Sequence, residues 1–459
     1  MSLEIIILAA GKGTRMHSTT PKVLHPLGGK ALLAHVLDTA VALQPAAIHV
    51  IYGHGGEALP LAFSGLHYAP DVNWVEQAEQ LGTGHALSLA LPAVDPAAEV
   101  LVLYGDVPLA GSETLAPLVE TSQRGELGVL TAEVDNPTGY GRVVVDDCGN
   151  IRAIIEHKDA TSAEQAITEI NTGFMAAPAA CFVRWLQQLT QNNAQGEYYL
   201  TDVAALASAE GLTVAATRAE NAGDVLGVNS RGDLAILERR YQQLQAEELM
   251  RAGVTLQDPK RFDLRGVLTA GRDCTIDINV IIEGEVILGD RVQVGPNSVL
   301  KNCRVGEDST IEANCLIDEA VIAAKCQVGP FARLRPGTCL EEGSRVGNFV
   351  ETKKTTLGQG SKANHLAYLG DAQVGRNVNI GAGVITCNYD GANKHLTVIG
   401  DNAFIGSDSQ LVAPVVVGTD ATIGAGSTIR RNAPAGKLTV TRTKAKTLDH
   451  WRSPKKEKR

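Results

Sequence analysis

The stretch Thr275 to Gly306 reads TIDINVIIEGEVILGDRVQVGPNSVLKNCRVG, and in it Ile276, Ile282, Leu288, Val294 and Leu300 recur every six residues. The period returns in Ile322, Val328, Leu334, Leu340 and Val346, and again in Ile399, Ile405, Leu411, Val417, Ile423 and Ile429. Glycine often follows the aliphatic, as at Gly289, Gly295, Gly306, Gly329, Gly347, Gly358, Gly406, Gly418 and Gly424. Six residues are too few for a helical repeat and match a parallel β-helix, in which each hexad supplies one short strand and one corner. The aliphatic points inward and small residues take the corner. At roughly 18 residues per three-sided coil, about nine or ten stacked coils are expected. Neighbouring coils then form ladders about 4.8 Å apart, and a narrow prism needs no wide core. The phase slips at Gly381–Val398, where AGVITCNYDGANKHLTV interrupts the hexads. Such an insertion is either a tolerated surface loop or a site carried on one face of the solenoid. Asn388, Tyr389 and Asp390 cluster there.

Upstream, residues 230–251 contain no proline, and Leu234, Leu237, Tyr241 and Leu244 fall at helical spacing. One long connecting helix is expected. Before it the grammar is different. Ile5–Leu8, Ile48–Tyr52 and Val100–Leu103 are continuous apolar runs, as in parallel strands buried on both faces. Helical patterns such as Ala31–Leu43 and Thr83–Ala90 alternate with them. This alternation implies βαβ units and a doubly wound, mostly parallel sheet that binds ligands beyond the carboxyl ends of its strands. The expected organisation is an α/β domain over 1–229, a linker helix over 230–251 and a β-helix domain with a tail over 252–459.

The chain of 459 residues is 44% hydrophobic and 20% charged, the composition of a soluble globular protein. A net charge of −10 argues against a nucleic-acid surface. The basic stretch Lys444 to Arg459 reads as a solvated tail. The eight cysteines form no CxxC pair and suit reduced, buried thiols in cytosol. No apolar run approaches the roughly 20 residues that span a bilayer. The expected location is cytoplasmic, without membrane insertion.

The opening motif is LAAGKGTRM, Leu8 to Met16, directly after the first strand. Gly11 and Gly13 let the backbone turn and present N–H groups to a phosphate. Lys12, Arg15 and, after Pro21, Lys22 supply positive charge for a triphosphate. No GKS or GKT closes a P-loop, and Met16 stands where a dinucleotide fingerprint needs its third glycine. Asp106, in Tyr104-Gly105-Asp106, follows a strand and is placed to hold Mg²⁺ with phosphates and water, although an aspartate there also caps helices. Gln77 and the Gly82-Thr83 turn suit the flat edge of a base. In the second half, His365 stands in SKANHLAYLG inside the hexad region, and histidine is the side chain best suited to take a proton near neutral pH. A lone histidine there is also a common structural hydrogen-bonder.

LAAGKGTRM with PK, QAEQLGTGHA, YGDVPL, PTGYGR, EHKDA, EINTG, GEYYLTD and GVNSR occur in order ahead of the hexads. Over essentially the whole chain this resembles the bifunctional N-acetylglucosamine-1-phosphate uridylyltransferase/glucosamine-1-phosphate acetyltransferase family. The resemblance implies a Rossmann-like nucleotidyltransferase domain and a left-handed parallel β-helix. It implies UTP and acetyl-CoA as cosubstrates, Mg²⁺ as cofactor, and a cytoplasmic homotrimer feeding peptidoglycan and lipopolysaccharide precursor synthesis. Leu8, Ala9, Ala10 and Gly11 would line the nucleotide, Gln77, Gly82 and Thr83 the uridine, and Arg15 and Lys22 the phosphates. Tyr104, Gly105 and Asp106 would complete that wall, Asp106 and Asn229 would hold Mg²⁺, and Gly141, Glu156 and Asn171 would hold the sugar. His365 would be the general base with Glu351 to orient or assist it, and Arg335, Lys353, Tyr368 and Asn379 would grip glucosamine-1-phosphate. Acetyl-CoA would lie along Ala382, Asn388, Tyr389, Ser407, Ala425 and Arg442. One departure is Leu226, where the family commonly has an acidic residue before GVN.

Two other readings stand beside this one. The prism could be an assembly platform on a nucleotidyltransferase, against which His365, Asn388, Tyr389 and Arg442 speak. The chain could also be a non-catalytic binding subunit, against which the intact Lys12, Arg15, Lys22, Asp106 and Asn229 speak.

Overall fold

The computed structural model describes residues 2–11, 13–53, 56–66, 68–441 and 445–452. The chain divides into two compact units, Met1–Tyr241 and Gln242–Arg459. In the first, the sheet is built from β1 (Leu3–Ala9), β2 (Ala47–Gly53), β3 (Val72–Gln77), β4 (Glu99–Tyr104), β5 (Leu127–Glu133), β6 (Arg142–Val145), β7 (Ile151–Ile155), β8 (Glu169–Pro178) and β9 (Val214–Arg218). The spatial order is β9-β5-β8-β4-β1-β2-β3, with β6 pairing β8 and β7. β1 lies parallel between β2 and β4, while β8 runs antiparallel to both β4 and β5, so the sheet is mixed.

The apolar runs of β1, β2 and β4 are buried because helices cover both faces. Ile5 and Ile7 belong to one core cluster with Leu33 and Leu37 of the helix Leu32–Ala42. Ile6 belongs to another with Ala86 and Leu87 of the helix Thr83–Ala90. Alternate side chains of one strand thus feed opposite layers. The carboxyl ends of β1 and β4 emerge side by side, with the Gly105 N–H donating to the Leu8 carbonyl at 2.9 Å.

The second unit is a parallel prism, one wall of which is an 11-stranded ladder from Thr255–Leu256 to Leu438–Thr439. All sixteen aliphatics of the three hexad runs belong to its single core cluster. Burying each side chain contributes about 1.5–3 kcal/mol before entropy is counted. Most coils advance by 17 or 18 residues, as in Ile276↔Val294, Val294↔Ile311 and Val328↔Val346. After Ile380 the partner is Ile405, whereas Tyr368 still pairs with Ile385. Val374 then pairs with Ile399. The extra residues therefore lie between Cys387 and Thr397, at one corner of one coil.

The glycines after the aliphatics open the corners, and they also face the backbone of the next coil. A Cβ at Gly289 would lie 2.6 Å from the Glu307 nitrogen, and one at Gly295 2.8 Å from that of Ala313. They permit the close approach of successive coils. The left-handed corner positions are often Asn or Asp, such as Asn279, Asn297, Asp308, Asn314 and Asn377. All eight cysteines are free; Cys274, Cys303, Cys315 and Cys326 are buried, Cys148 is exposed, and the others lie between. No described helix is long and apolar enough to cross a membrane.

Candidate functional site

A cavity of about 600 Å³ opens at the carboxyl ends of β1 and β4. Its lining brings together Leu8, Ala9, Ala10, Gly11, Arg15, Lys22, Gln77, Gly82, Thr83, Tyr104, Asp106 and Asn229, which are far apart in sequence. Arg15 sits on a short 3₁₀ turn, Thr14–Met16, and Lys22 on another, Lys22–Leu24. Lys22 Nζ ion-pairs with Asp106 Oδ2 and donates to Asn229 Oδ1 at 3.4 Å. Two oxygen donors from distant segments therefore already converge on one cation, the donor chemistry that Mg²⁺ requires. No group of three His, Cys, Asp or Glu side chains suited to a metal occurs among the described residues.

Asn229 is held by the start of the helix Arg231–Arg251. The backbone N–H groups of Asn229 and Ser230 donate to Asp233 Oδ2 at 3.0 and 2.8 Å, and the Asp233 N–H donates back to Ser230 Oγ at 3.2 Å. This reciprocal cap fixes the residue next to the helix. Arg231 reaches the Met16 carbonyl and His25 Nδ1, both at 3.3 Å, and so ties the Arg15 turn to the Lys22 turn.

On the opposite wall, Gln77 is buried and donates to the Gly82 carbonyl at 3.1 Å. The Gly82 turn is clamped by the GEYYLTD segment: Tyr198 N–H donates to the Leu81 carbonyl and Gly84 N–H to that of Tyr198, each at 2.8 Å. Gly82 has φ +110°, and a Cβ there would stand 2.6 Å from the Tyr198 carbonyl oxygen. Gly82→Ala is therefore expected to cost about 1–3 kcal/mol of local strain. Thermal unfolding should show a lowered midpoint, with nucleotide affinity falling in parallel.

Gly105, Gly141, Glu156 and Asn171 do not line the cavity itself. Gly105 packs against it, where a Cβ would press on Ala9 at 3.1 Å. Gly141, Glu156 and Asn171 form an adjoining group: Asn171 N–H donates to the Gly141 carbonyl at 2.9 Å, and Thr201 Oγ1 donates to Glu156 Oε1 at 3.0 Å. Burial pushes the Glu156 carboxyl above its ordinary range, against the opposing Thr201 hydrogen bond. Burial likewise raises Tyr104, with the Glu156 and Asp106 carboxylates adding to the shift. Gln80, Tyr140 and Glu197 also line the cavity and were not anticipated. Gln80 Nε2 donates to the Ala10 carbonyl at 2.6 Å, tying the glycine-rich loop to the wall of Gln77.

In the prism, β10 (Arg345–Asn348), β11 (Glu351–Leu357), β12 (Lys362–His365) and β13 (Tyr368–Val374) carry the second group of residues. His365 is exposed, and its Nδ1 meets Asn348 Oδ1 at 2.9 Å. Glu351, whose rung partner is Tyr368, pairs with Arg335 at 2.7 Å. It begins the wall beyond the corner at Phe349, while Asn348 is the rung partner of His365. Tyr368 lies over Gly370, the rung partner of Lys353. The extra residues of the inserted corner form a hairpin with a Tyr389↔Lys394 bridge, closed by Asp390 accepting from Ala392 and Asn393 N–H groups at 2.8 and 2.7 Å. Those bonds and His395 hold the Asp390 carboxyl well below the usual range. The hairpin brings Lys394 against Lys353, and this neighbour, with Arg335 beyond it, lowers the Lys353 ammonium. Lys353, Lys394 and Arg335 thus share one neighbourhood with the carboxylates of Asp371 and Glu351, and Lys394 is the cation not anticipated from the sequence.

Asn388 donates to Asp371 Oδ2, which fixes the root of the hairpin. Ala382, Ser407 and Ala425 recur on successive coils, the Asp408 N–H donating to Ala382 O at 2.7 Å and the Gly426 N–H to Ser407 O at 2.8 Å. They form a column of small residues in line with His365. Asn379 lies on the wall of His365, as the rung partner of Lys362. Arg442 and Lys12 lie outside the described residues.

A nucleotide-sized cavity over a mixed α/β sheet, followed by a hexapeptide prism with an exposed histidine in line with small residues on successive coils, defines a two-headed transferase. The model of the MobA-like NTP transferase domain matches residues 5–252, that of the GMPPB C-terminal domain residues 265–354, and that of the six-repeat bacterial transferase hexapeptide residues 396–431. A relative from Alkalilimnicola ehrlichii, Bifunctional protein GlmU, is 54% identical over 453 residues, covering 99% of this chain and 97% of its own. The chain belongs to the GlmU family of bifunctional transferases, with a nucleotidyltransferase domain and a hexapeptide acetyltransferase domain. A crystal structure from Bacillus anthracis, a provisionally assigned glucose-1-phosphate thymidylyltransferase in complex with a sucrose, is 21% identical with a TM-score of 0.43, over 52% of this chain and 94% of that one.

Proposed function

We propose that the two heads make UDP-N-acetylglucosamine in sequence. In the unit carrying residues 252–459, the amine of glucosamine-1-phosphate attacks the thioester carbonyl of acetyl-CoA. The C–N bond forms, the C–S bond breaks, and the amine proton passes to His365 Nε2 and from there to the departing thiolate, which leaves as the CoA thiol. Arg335, Lys353 and Lys394 hold the sugar phosphate, and the thioester arm follows Ala382, Ser407 and Ala425 with Asn388 and Tyr389 beside it. Tyr368 and Asn379 complete the sugar's surroundings.

In the unit carrying residues 1–229, an oxygen of the N-acetylglucosamine-1-phosphate group attacks the α-phosphorus of UTP in line, and pyrophosphate leaves. No protein nucleophile is required, only alignment and charge neutralisation. Arg15 and Lys22 face the departing phosphates, Gln77, Gly82 and Thr83 read the uracil, and Gly141, Glu156 and Asn171 hold the sugar. Asp106 and Asn229 would hold Mg²⁺, which when bound neutralises triphosphate oxygens.

The observation that carries the reading is the convergence of Lys22, Asp106 and Asn229 opposite the Gln77–Gly82 wall in one cavity. Mass spectrometry of a mixture of UTP, N-acetylglucosamine-1-phosphate and Mg²⁺ should show the UDP-sugar, and product with CTP alone would contradict the uridine assignment. Lys394→Ala should raise KM for glucosamine-1-phosphate about tenfold with kcat nearly unchanged, the sign of lost ground-state binding.

The reading also makes the protein a cytoplasmic homotrimer. Exposed Phe331, Phe349 and Leu366 support it, since they occupy one corner column at φ 55°, 57° and 49°, where bulky residues are costly and other coils place Asn. The two phenyl rings stack at 5.3 Å. An apolar ridge of this kind fits another copy of the prism.

A further inference from the structure

We infer that Asn348 is the positioning residue that sets the tautomer and orientation of His365; this rests on His365 being the base for acetyl transfer. Asn348 and His365 are rung partners on adjacent parallel strands, so their side chains leave the same wall one above the other. Asn348 holds this segment at two points. Its side-chain Oδ1 meets His365 Nδ1 at 2.9 Å, and its backbone carbonyl accepts the Leu366 N–H at 3.0 Å. The groove beside them, about 260 Å³, is lined by Gln327, Arg345, Asn364 and both partners, and leaves the ring open on one side.

A neutral imidazole carries one proton, and free histidine prefers it on Nε2. A ring with that tautomer cannot take a proton from an amine at Nε2. An acceptor fixed at Nδ1 reverses the preference and leaves the Nε2 lone pair facing outward. On an exposed ring, a single fixed acceptor also limits rotation about the side-chain torsions, which places the lone pair. Glu351 is engaged with Arg335, so the amide oxygen of Asn348 meets this need.

The test uses the full-length protein and four variants. Asn348→Leu should lower kcat for acetyl transfer about 10- to 100-fold, part of the range general-base catalysis supplies, with KM for both substrates within about twofold. Adding Asn348→Leu to His365→Ala should cause no further loss. Asn348→Asp, which can only accept at this position, should retain activity within about threefold of the parent. With ¹⁵N-histidine labelling, the His365 resonances should report Nδ1–H in the parent and Nε2–H in Asn348→Leu. Equal loss from Asn348→Leu in the His365→Ala background, or an Nε2–H tautomer in the parent, would overturn the inference. Full acetyl transfer by His365→Ala would instead remove the base itself, a failure distinct from an intact base indifferent to Asn348→Leu. If the leucine variant does not fold, Asn348→Asp decides: retained rate with the Nδ1–H signal supports the inference, and a rate as low as that of His365→Ala refutes it.

Discussion

His365→Ala is expected to reduce acetyl transfer by about 10²- to 10⁴-fold, the range a positioned general base supplies, while uridylyl transfer stays within about twofold. The reason is placement. His365 heads the Ala382, Ser407 and Ala425 column, and its ring is exposed and held at Nδ1. Removing the imidazole leaves the cation group of Arg335, Lys353 and Lys394 intact, so KM for the amino sugar phosphate should hardly move. Following CoA thiol and pyrophosphate in separate assays checks this. An equal fall in both activities would contradict the division of labour between the two heads.

Asp106→Ala should do the reverse, lowering uridylyl transfer by about 10²- to 10³-fold, the scale of losing one preorganised electrostatic contact. The Asp106 carboxylate lies at the end of β4 and pairs with Lys22, and the Asp106 carbonyl accepts the Val228 N–H at 2.9 Å, next to Asn229. Loss of the side chain would remove one of two oxygen donors and free the Lys22 ammonium. Acetyl transfer should be unchanged. A variant with full pyrophosphate release would take Asp106 out of the metal site.

These predictions draw on features of different legibility. The hexads could be read because a period of six carries the core by itself, and each named aliphatic is inside. The glycines were read as corner residues and do open the corners, but glycine itself is required there by the backbone of the next coil, as the 2.8 Å approach at Gly295 shows. Sequence period alone does not express that distance. The inserted corner was bounded only within Gly381–Val398; the rung pairs Tyr368↔Ile385 and Val374↔Ile399 narrow it to the residues between Cys387 and Thr397.

In the first unit, Arg15, Lys22 and Asp106 were legible because cations and a carboxylate at strand ends have one obvious use. Gln80 was not, since its hydrogen bond to Ala10 depends on where two loops meet. Lys394 and Asn348 were hidden for the same reason. Asn348 reaches His365 only through a 17-residue coil, and Lys394 reaches Lys353 only through the hairpin closed by Asp390. Coils of 17 and 18 residues are mixed without a regular order, so no fixed spacing marks such partners.

The most direct test of the two-step account is one incubation of the purified protein with glucosamine-1-phosphate, acetyl-CoA, UTP and Mg²⁺, following free thiol and pyrophosphate separately. The account predicts release of both, with pyrophosphate lagging behind thiol and absent when acetyl-CoA is withheld. Pyrophosphate from supplied N-acetylglucosamine-1-phosphate, with no thiol released under any condition, would contradict it and leave a uridylyltransferase joined to an inactive prism.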